Sequence, residues 1–338
     1  MPSIAELGEF GLIKLLSRRV KAAPQILKGI GDDAAVIATM PDSVILATCD
    51  SQAQDIHFRL EKIDPVDLGW RAMAVNISDI AAMGGNPWFA LISLLAPAET
   101  DAALLDNIYI GLQACAETFG VAIAGGNVSR NPNTLIIDIT LIGMADANSL
   151  LLRSGAKAGD SICVTGTLGL SAIGRYLQDH PSAAAQMPEE IARKAILAHH
   201  KPTPRVTAGQ WLAAHKATSA IDISDGFVAD LQHICEASSV GALIDAKLLP
   251  ISEELAHITN TLQLAANDFA LAGGEDYELL FTLPAEETET ALQNLSATCG
   301  VSASKIGVIT ELKDILVVND GKTIRLDRLG WDHLSGQK

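Results

Sequence analysis

Apolar residues recur at helical spacing from Ile4 to Val20 (Ile4, Leu7, Leu12, Leu15), which predicts an amphipathic helix. The run Val44 to Thr48 reads as a buried strand that delivers the chain to Cys49-Asp50. A second helix carries clear start and stop signals. Asp64 is placed to cap it, Pro65 sits at its first position, Asp67 favours the positive end of its dipole, and Gly84-Gly85 ends it after Met83. Phe89 to Leu95 predicts a strand and Ala102 to Phe119 a helix. Val121 to Ala124 and Leu135 to Gly143 read as strands, with Gly125-Gly126-Asn127 as a loop after the first of them.

The turn-rich segment Arg153 to Asp160 predicts a boundary, dividing the chain into residues 1–150 and 151–338. Beyond it, Ser161 to Thr165 is a strand and a helix begins near Leu168. Lys201-Pro202-Thr203-Pro204 breaks the following helices. Ser219 to Ile223 predicts a strand, Asp225 to Ala237 a helix, Tyr277 to Leu283 a strand and Lys305 to Ile309 another. Ile315 to Leu326 reads as a hairpin turning at Asn319-Asp320-Gly321. The order of elements is mixed rather than a regular alternation, so the fold class predicted is α+β with two domains.

Composition narrows the function classes. Hydrophobic residues make up 49% of 338, enough for a sizeable core, while the formal net charge is −16. An acidic chain lacks the basic footprint that nucleic acid or an anionic membrane requires, so neither is expected as a partner. A small anionic substrate stays possible, because bound cations reverse the local sign of a site. The five cysteines are scattered with no CxxC pair, and no run of about 20 apolar residues occurs, so a cytoplasmic enzyme is expected.

The residues that ask for chemistry are aspartates at element ends: Asp32 and Asp33 in GIGDD, Asp50 after a strand, Asp79, and Asp222 and Asp225 in IDISDG. Carboxylates gathered together repel unless a cation sits among them, and hard oxygen ligands suit Mg²⁺. Asp-Asp after Gly also fits a simple turn, and Asp225 also fits the cap of the next helix. Asp79 is harder to read as structural, since it lies in a helix between Ile77 and Ile80 where an unpaired carboxylate is costly. The doublets Gly84-Gly85, Gly125-Gly126 and Gly273-Gly274 suit either phosphate-binding amides or helix ends. No GxxxxGK[ST] or GxSxG is present, His199-His200 lack zinc spacing, and His57 reads equally as a packed loop residue or a ligand contact.

Several strings, in this order, resemble the thiamine-monophosphate kinase family: GEFGLI (residues 8–13), GIGDDAAV (29–36), DPVDLGWRAMAVNISDIAAMGGNP (64–87), RSGAKAGD (153–160), IDISDGFVADLQHI (221–234), AGGEDYELLFT (272–282) and GWDH (330–333). That family is grouped with aminoimidazole ribonucleotide synthetase, selenophosphate synthetase and the hydrogenase-maturation dehydratase. The resemblance implies two α+β domains, the N-terminal one pairing across a homodimer through its sheet. It also implies transfer of a phosphoryl group from ATP to thiamine monophosphate with several Mg²⁺ ions. By motif match, Asp33, Thr48, Asp50, Asp79, Asp222 and Asp225 are expected to hold magnesium. Tyr109, Gly125, Gly126, Asn127, Arg153 and Ser224 are expected at the nucleotide, and His57, Glu275 and Trp331 at the thiamine moiety. The chain departs from the family pattern at three places. Asn127 stands where an aspartate is usual, Cys49 replaces a threonine, and the substrate loop over residues 52–58 reads QAQDIHF rather than close to VEGVHF. These departures leave open a related ATP-using enzyme with another small substrate, or a weakened nucleotide-binding homologue.

Overall fold

The structure, a computed structural model, describes residues 26–28, 32–40 and 42–325. The helix predicted over Ile4 to Val20 and the expected thiamine contact Trp331 lie outside them. The first half of the chain forms a six-stranded sheet in the order β1-β2-β3-β6-β4-β5. Its strands are β1 (Ile26–Lys28), β2 (Ala35–Met40), β3 (Ser43–Ala53), β4 (Asn86–Ala96), β5 (Ala122–Arg130) and β6 (Ile136–Asp146). All pairs are antiparallel except β4 with β5. The second half forms a seven-stranded mixed sheet, β13-β12-β9-β11-β7-β10-β8. It contains β7 (Ser161–Thr165), β8 (Ser219–Asp222), β9 (Gly241–Asp245), β10 (Leu279–Leu283), β11 (Ala303–Thr310), β12 (Ile315–Asn319) and β13 (Lys322–Arg325). The fold is therefore α+β with one sheet in each half.

Helix α1 (Pro65–Ala82) begins as its sequence predicts: Asp64 accepts from Val66 N at 2.8 Å, and Pro65 leads the first turn. It packs on α2 (Ala102–Phe119), and both cover one face of the first sheet. The two axes approach closely because glycines meet backbone. A Cβ on Gly69 would stand 1.9 Å from Ile108 O, and one on Gly111 would stand 1.8 Å from Val66 O. Leu68, Met73, Ile77 and Ile80 of α1 join Leu46, Ile92, Ile139 and Leu141 of the sheet in the first core. The other face of this sheet is uncovered by any helix among the described residues, and it presents Trp88 and Leu91 to solvent.

The second sheet is flanked by α3 (Leu170–Asp179), α4 (Pro181–Ala184), α5 (Glu189–His200), α6 (Val206–Ala214), α7 (Phe227–Ser238), α8 (Glu253–Leu262), α9 (Ala266–Ala272) and α10 (Thr288–Cys299). Strands β7, β8 and β10 are buried throughout, so their burial does not alternate along the strand. Helix α1 is the element common to both halves, touching β3 and β6 on one side and β8 and α6 on the other. Asp79 and Ser78 thereby reach the C-terminal end of β8.

Three sequence expectations are corrected. Gly125-Gly126-Asn127 is not a loop but the middle of β5, paired parallel with β4. Gly126 is required there because a Cβ would fall 1.8 Å from Ile92 O. Helix α7 starts at Phe227 rather than Asp225, because the amides of Ser224, Asp225 and Gly226 are taken by the Asp230 carboxylate instead of by helical geometry. Strand β10 starts at Leu279 rather than Tyr277, because Glu275 (φ 67) and Tyr277 (φ 51) are in the left-handed region. The predicted hairpin is present, with Asp320 (φ 48) and Gly321 (φ 75) at the turn between β12 and β13.

Candidate active site

The site lies where α1 bridges the sheets. Asp33 follows the start of the first sheet, Asp79 projects from the last turn but one of α1, and Asp222 ends β8. One carboxylate oxygen from each lies within 4.8 Å of the others. Residues 189 positions apart thus converge because α1 packs against both sheets. Each carboxylate is oriented by a hydroxyl or a cation. Thr48 Oγ1 donates to Asp79 Oδ2 at 2.5 Å, Ser78 Oγ to Asp222 Oδ2 at 2.6 Å, and Arg153 Nη2 to Asp33 Oδ1 at 2.5 Å. Arg153 N also donates to Asp32 at 2.9 Å.

The electrostatics are unfavourable for bare carboxylates. Burial, then the charges of Asp222, Asp33 and Asp50, push Asp79 well above the ordinary carboxylate range. Burial and Asp33 push Asp222 up to about 7. Asp33 is raised by burial despite the opposing guanidinium of Arg153. A divalent cation relieves this repulsion while asking only for oxygen ligands, which is what this donor set offers. The residues therefore fit magnesium.

The remaining expected ligands sit around this core. Asp50 is exposed at the sheet surface, where its backbone N donates to Asn76 Oδ1 at 3.1 Å, and its charge contributes to the upward push on Asp79. Asp225 is not in the three-carboxylate group. It lies with Asp230 and His233, whose ligand atoms form a second close set. Ser224 is on the same loop, its carbonyl accepting from Glu275 N at 2.8 Å. Gly125, Gly126 and Asn127 are exposed on β5. Tyr109 is half-buried on α2 against the first core, and among the described residues no hydrogen bond joins it to the carboxylates.

On the uncovered face, Ser51 pairs with Asp138, Asp138 with Ser93, and Ser93 with Asn127, a polar row crossing four strands. Ser51 Oγ donates to Asp138 at 2.5 Å, and Cys49 Sγ lies 3.6 Å from the same carboxylate. Asp138 therefore brings a carboxylate to the sheet face on which Asn127 lacks one.

His57 lines a cavity of about 290 Å³ between the loop after β3 and helices α3 and α5, and Glu275 stands behind its wall, 3.2 Å from the lining residue His199. His57 Nδ1 accepts from Ala53 N at 3.0 Å, which fixes the ring at the cavity wall. Arg71, His199 and His200 also line it. The sequence reading missed these three, along with Ser78 and Asp230. For Arg71 and Ser78 a signal existed: they stand seven apart on α1, hence on one face, among apolar neighbours. For the adjacent histidines no local signal existed.

Comparison with known proteins shows the family. The family model "AIR synthase related protein, N-terminal domain" matches residues 31–145, and its C-terminal counterpart matches residues 157–319. The chain is 38% identical over 330 residues to thiamine-monophosphate kinase of Escherichia coli K12, covering 97% of this chain and 98% of that one. It is 32% identical to the Bacillus subtilis enzyme of that name, covering 97% and 99%. Among solved structures, the AaThiL complex with AMPPCP and TMP superposes with a TM-score of 0.86 at 33% identity, covering 98% and 99%. The chain belongs to the thiamine-monophosphate kinase family of AIR synthase-related proteins.

Proposed function

We propose that this chain transfers the γ-phosphoryl group of ATP to thiamine monophosphate, forming thiamine diphosphate. The observation that carries the reading is the convergence of Asp33, Asp79 and Asp222 from both halves of the chain into one buried group. Its supports are the full-length relatives of that name and the solved relative in complex with AMPPCP and TMP.

In this reading Asp33, Thr48, Asp50, Asp79, Asp222 and Asp225 hold magnesium, which when bound offsets the negative charge of the phosphates. Arg153 is paired with Asp33. A cation held by that carboxylate would leave the planar fork of Arg153 to phosphate oxygens. Tyr109, Ser224 and the Gly125-Gly126-Asn127 strand lie along the nucleotide. His57, Glu275 and Trp331 meet the thiamine moiety. The acceptor is already a phosphate oxygen, so no strong protein base is required, and positioning for in-line attack is the main work of the residues.

We also infer that residues 1–150 and 151–338 act as two domains and that two copies pair through the uncovered face of the first sheet. Trp88 and Leu91 are exposed there beside the polar row, and large apolar side chains on an uncovered sheet face call for a partner. The cytoplasm is the compartment we assign, in keeping with five unpaired cysteines. No helix among the described residues is long and apolar enough to cross a membrane.

The test is direct. Purified protein with ATP, Mg²⁺ and thiamine monophosphate should yield thiamine diphosphate and ADP in equal amounts, resolved by chromatography. Folded protein that binds ATP but leaves thiamine monophosphate unchanged would overturn the proposal.

A further inference from the structure

Arg71 is 1% exposed, yet it carries a full charge in the middle of α1. A buried guanidinium is costly unless every branch is satisfied. Here every branch is. Nε donates to Gln52 Oε1 at 3.1 Å, Nη1 to the carbonyl of His199 at 2.5 Å, and Nη2 to Glu275 Oε1. The second oxygen of Glu275 faces His199 Nδ1 at 3.2 Å, and that nitrogen also lies 3.1 Å from Ser171 Oγ. Glu275 is thus held at both oxygens, by one residue from each half of the chain.

The backbone adds to this constraint. Glu275 adopts φ 67, an uncommon conformation for a side chain of its type, and its amide is tied to Ser224 O at 2.8 Å. Its neighbour Asp276 accepts from Gly169 N and Ser171 N at the start of α3. Burial drives His199 down to about 3, so its ring is neutral, and its Nδ1 stands between Ser171 Oγ and the second oxygen of Glu275. Burial alone would raise Glu275, but Arg71 foremost holds it at about 2, so it stays ionised.

The structure assigns Arg71 and His199, which line the cavity, as positioning residues for the acceptor site: they fix the Glu275 carboxylate beside it so that it reads the acceptor's exocyclic amino group. The inference rests on the thiamine-monophosphate reading above. Its chemical content is that Glu275, already neutralised by Arg71, is not a counter-ion for a cationic ring. Its remaining lone pairs instead accept from the exocyclic amino group, which a 4-aminopyrimidine has and a 4-oxopyrimidine replaces with an acceptor oxygen.

The experiment is calorimetric titration of the full chain, loaded with Mg²⁺ and a non-hydrolysable ATP analogue, with thiamine monophosphate or its 4-oxo analogue. Wild type, Arg71→Met, Arg71→Lys and His199→Gln are compared, with thermal melts to confirm folding. Arg71→Met should weaken thiamine monophosphate binding at least tenfold, with nucleotide affinity within about twofold of wild type. Arg71→Lys, which keeps the charge but loses the fork, should recover part of the affinity. It carries the test if the methionine variant does not fold. Steady-state turnover should show the same loss in KM for thiamine monophosphate rather than in kcat. The 4-oxo analogue should bind wild type at least tenfold more weakly and discriminate less in Arg71→Met. Folded variants that bind thiamine monophosphate like wild type, or that lose nucleotide and acceptor equally, overturn the inference alone. Wild-type protein that binds nucleotide but not thiamine monophosphate overturns the function reading, and this inference with it.

Discussion

Asp79 illustrates how function sets the cost of single residues. Its carboxylate is buried beside Asp33 and Asp222, and the repulsion is answered only in part by Thr48 and Arg153. Asp79→Asn keeps the shape and an acceptor for Thr48 while removing a charge. In metal-free buffer this variant should melt higher than wild type, by roughly 2 °C for each ~1 kcal/mol relieved. It should also lose the stabilisation that Mg²⁺ gives wild type, and turnover with it; paired melts with and without Mg²⁺ check both. Ser78 is the opposite case. It is fully buried and gives its hydroxyl to Asp222, so Ser78→Ala removes one hydrogen bond worth about 1 kcal/mol and frees the Asp222 carboxylate to rotate. Weaker Mg²⁺ affinity, measured by titration, with a small drop in melting temperature is the expected outcome. Asn127 is a third. It offers an oxygen but no charge, and Asp138 lies two strands away on the same polar row. Restoring the charge with Asn127→Asp should tighten nucleotide-dependent Mg²⁺ binding.

Elements were legible in the sequence where local signals agreed with tertiary demands. Helix α1 starts and ends where Asp64, Pro65 and Gly84 predict, because capping and dipole effects are local. Helix α2 matches its predicted span for the same reason, capped by Asp101 and ended by Gly120 in the left-handed region. Strand β5 was misread because a Gly-Gly-Asn string has turn chemistry. There the close approach of Ile92 O, a tertiary contact, decides its conformation. Asp79 stands out in the sequence because a carboxylate flanked by isoleucines is anomalous in any helix, and the structure sets it beside Asp33 and Asp222. The same reasoning applied to Arg71 finds it too, but its partner Glu275 lies 204 residues away and no local pattern joins them. At the start of α3, Asp276 accepts two backbone amides, yet burial pushes it up to about 7. Since its folded value is raised, its contribution to stability is complete below pH 4 and is lost as pH rises through 7. Asp276→Asn removes that titration. Wild type should therefore lose more melting temperature than the variant between pH 5 and pH 8, by about 2 °C after allowing for the water that reaches this loop.

At the scale of the whole molecule, the two sheets are joined through α1, which carries Arg71 toward the acceptor cavity and Asp79 toward the carboxylate group. On the proposed reading, nucleotide and acceptor sites share this one element, and ligands at either end should protect the same helix from hydrogen exchange. The uncovered face of the first sheet, with Trp88 and Leu91 exposed, predicts a dimer in solution. Leu91→Glu should shift the protein toward monomer in analytical ultracentrifugation. The central claim is that the converging aspartates serve phosphoryl transfer to thiamine monophosphate. It is tested most directly with ATP labelled at the γ-phosphate, following the label in wild type and in Asp222→Asn. The account predicts label in thiamine diphosphate for wild type and its loss in the variant, with both proteins folded. Label released only as inorganic phosphate, or transfer undiminished in Asp222→Asn, would contradict it.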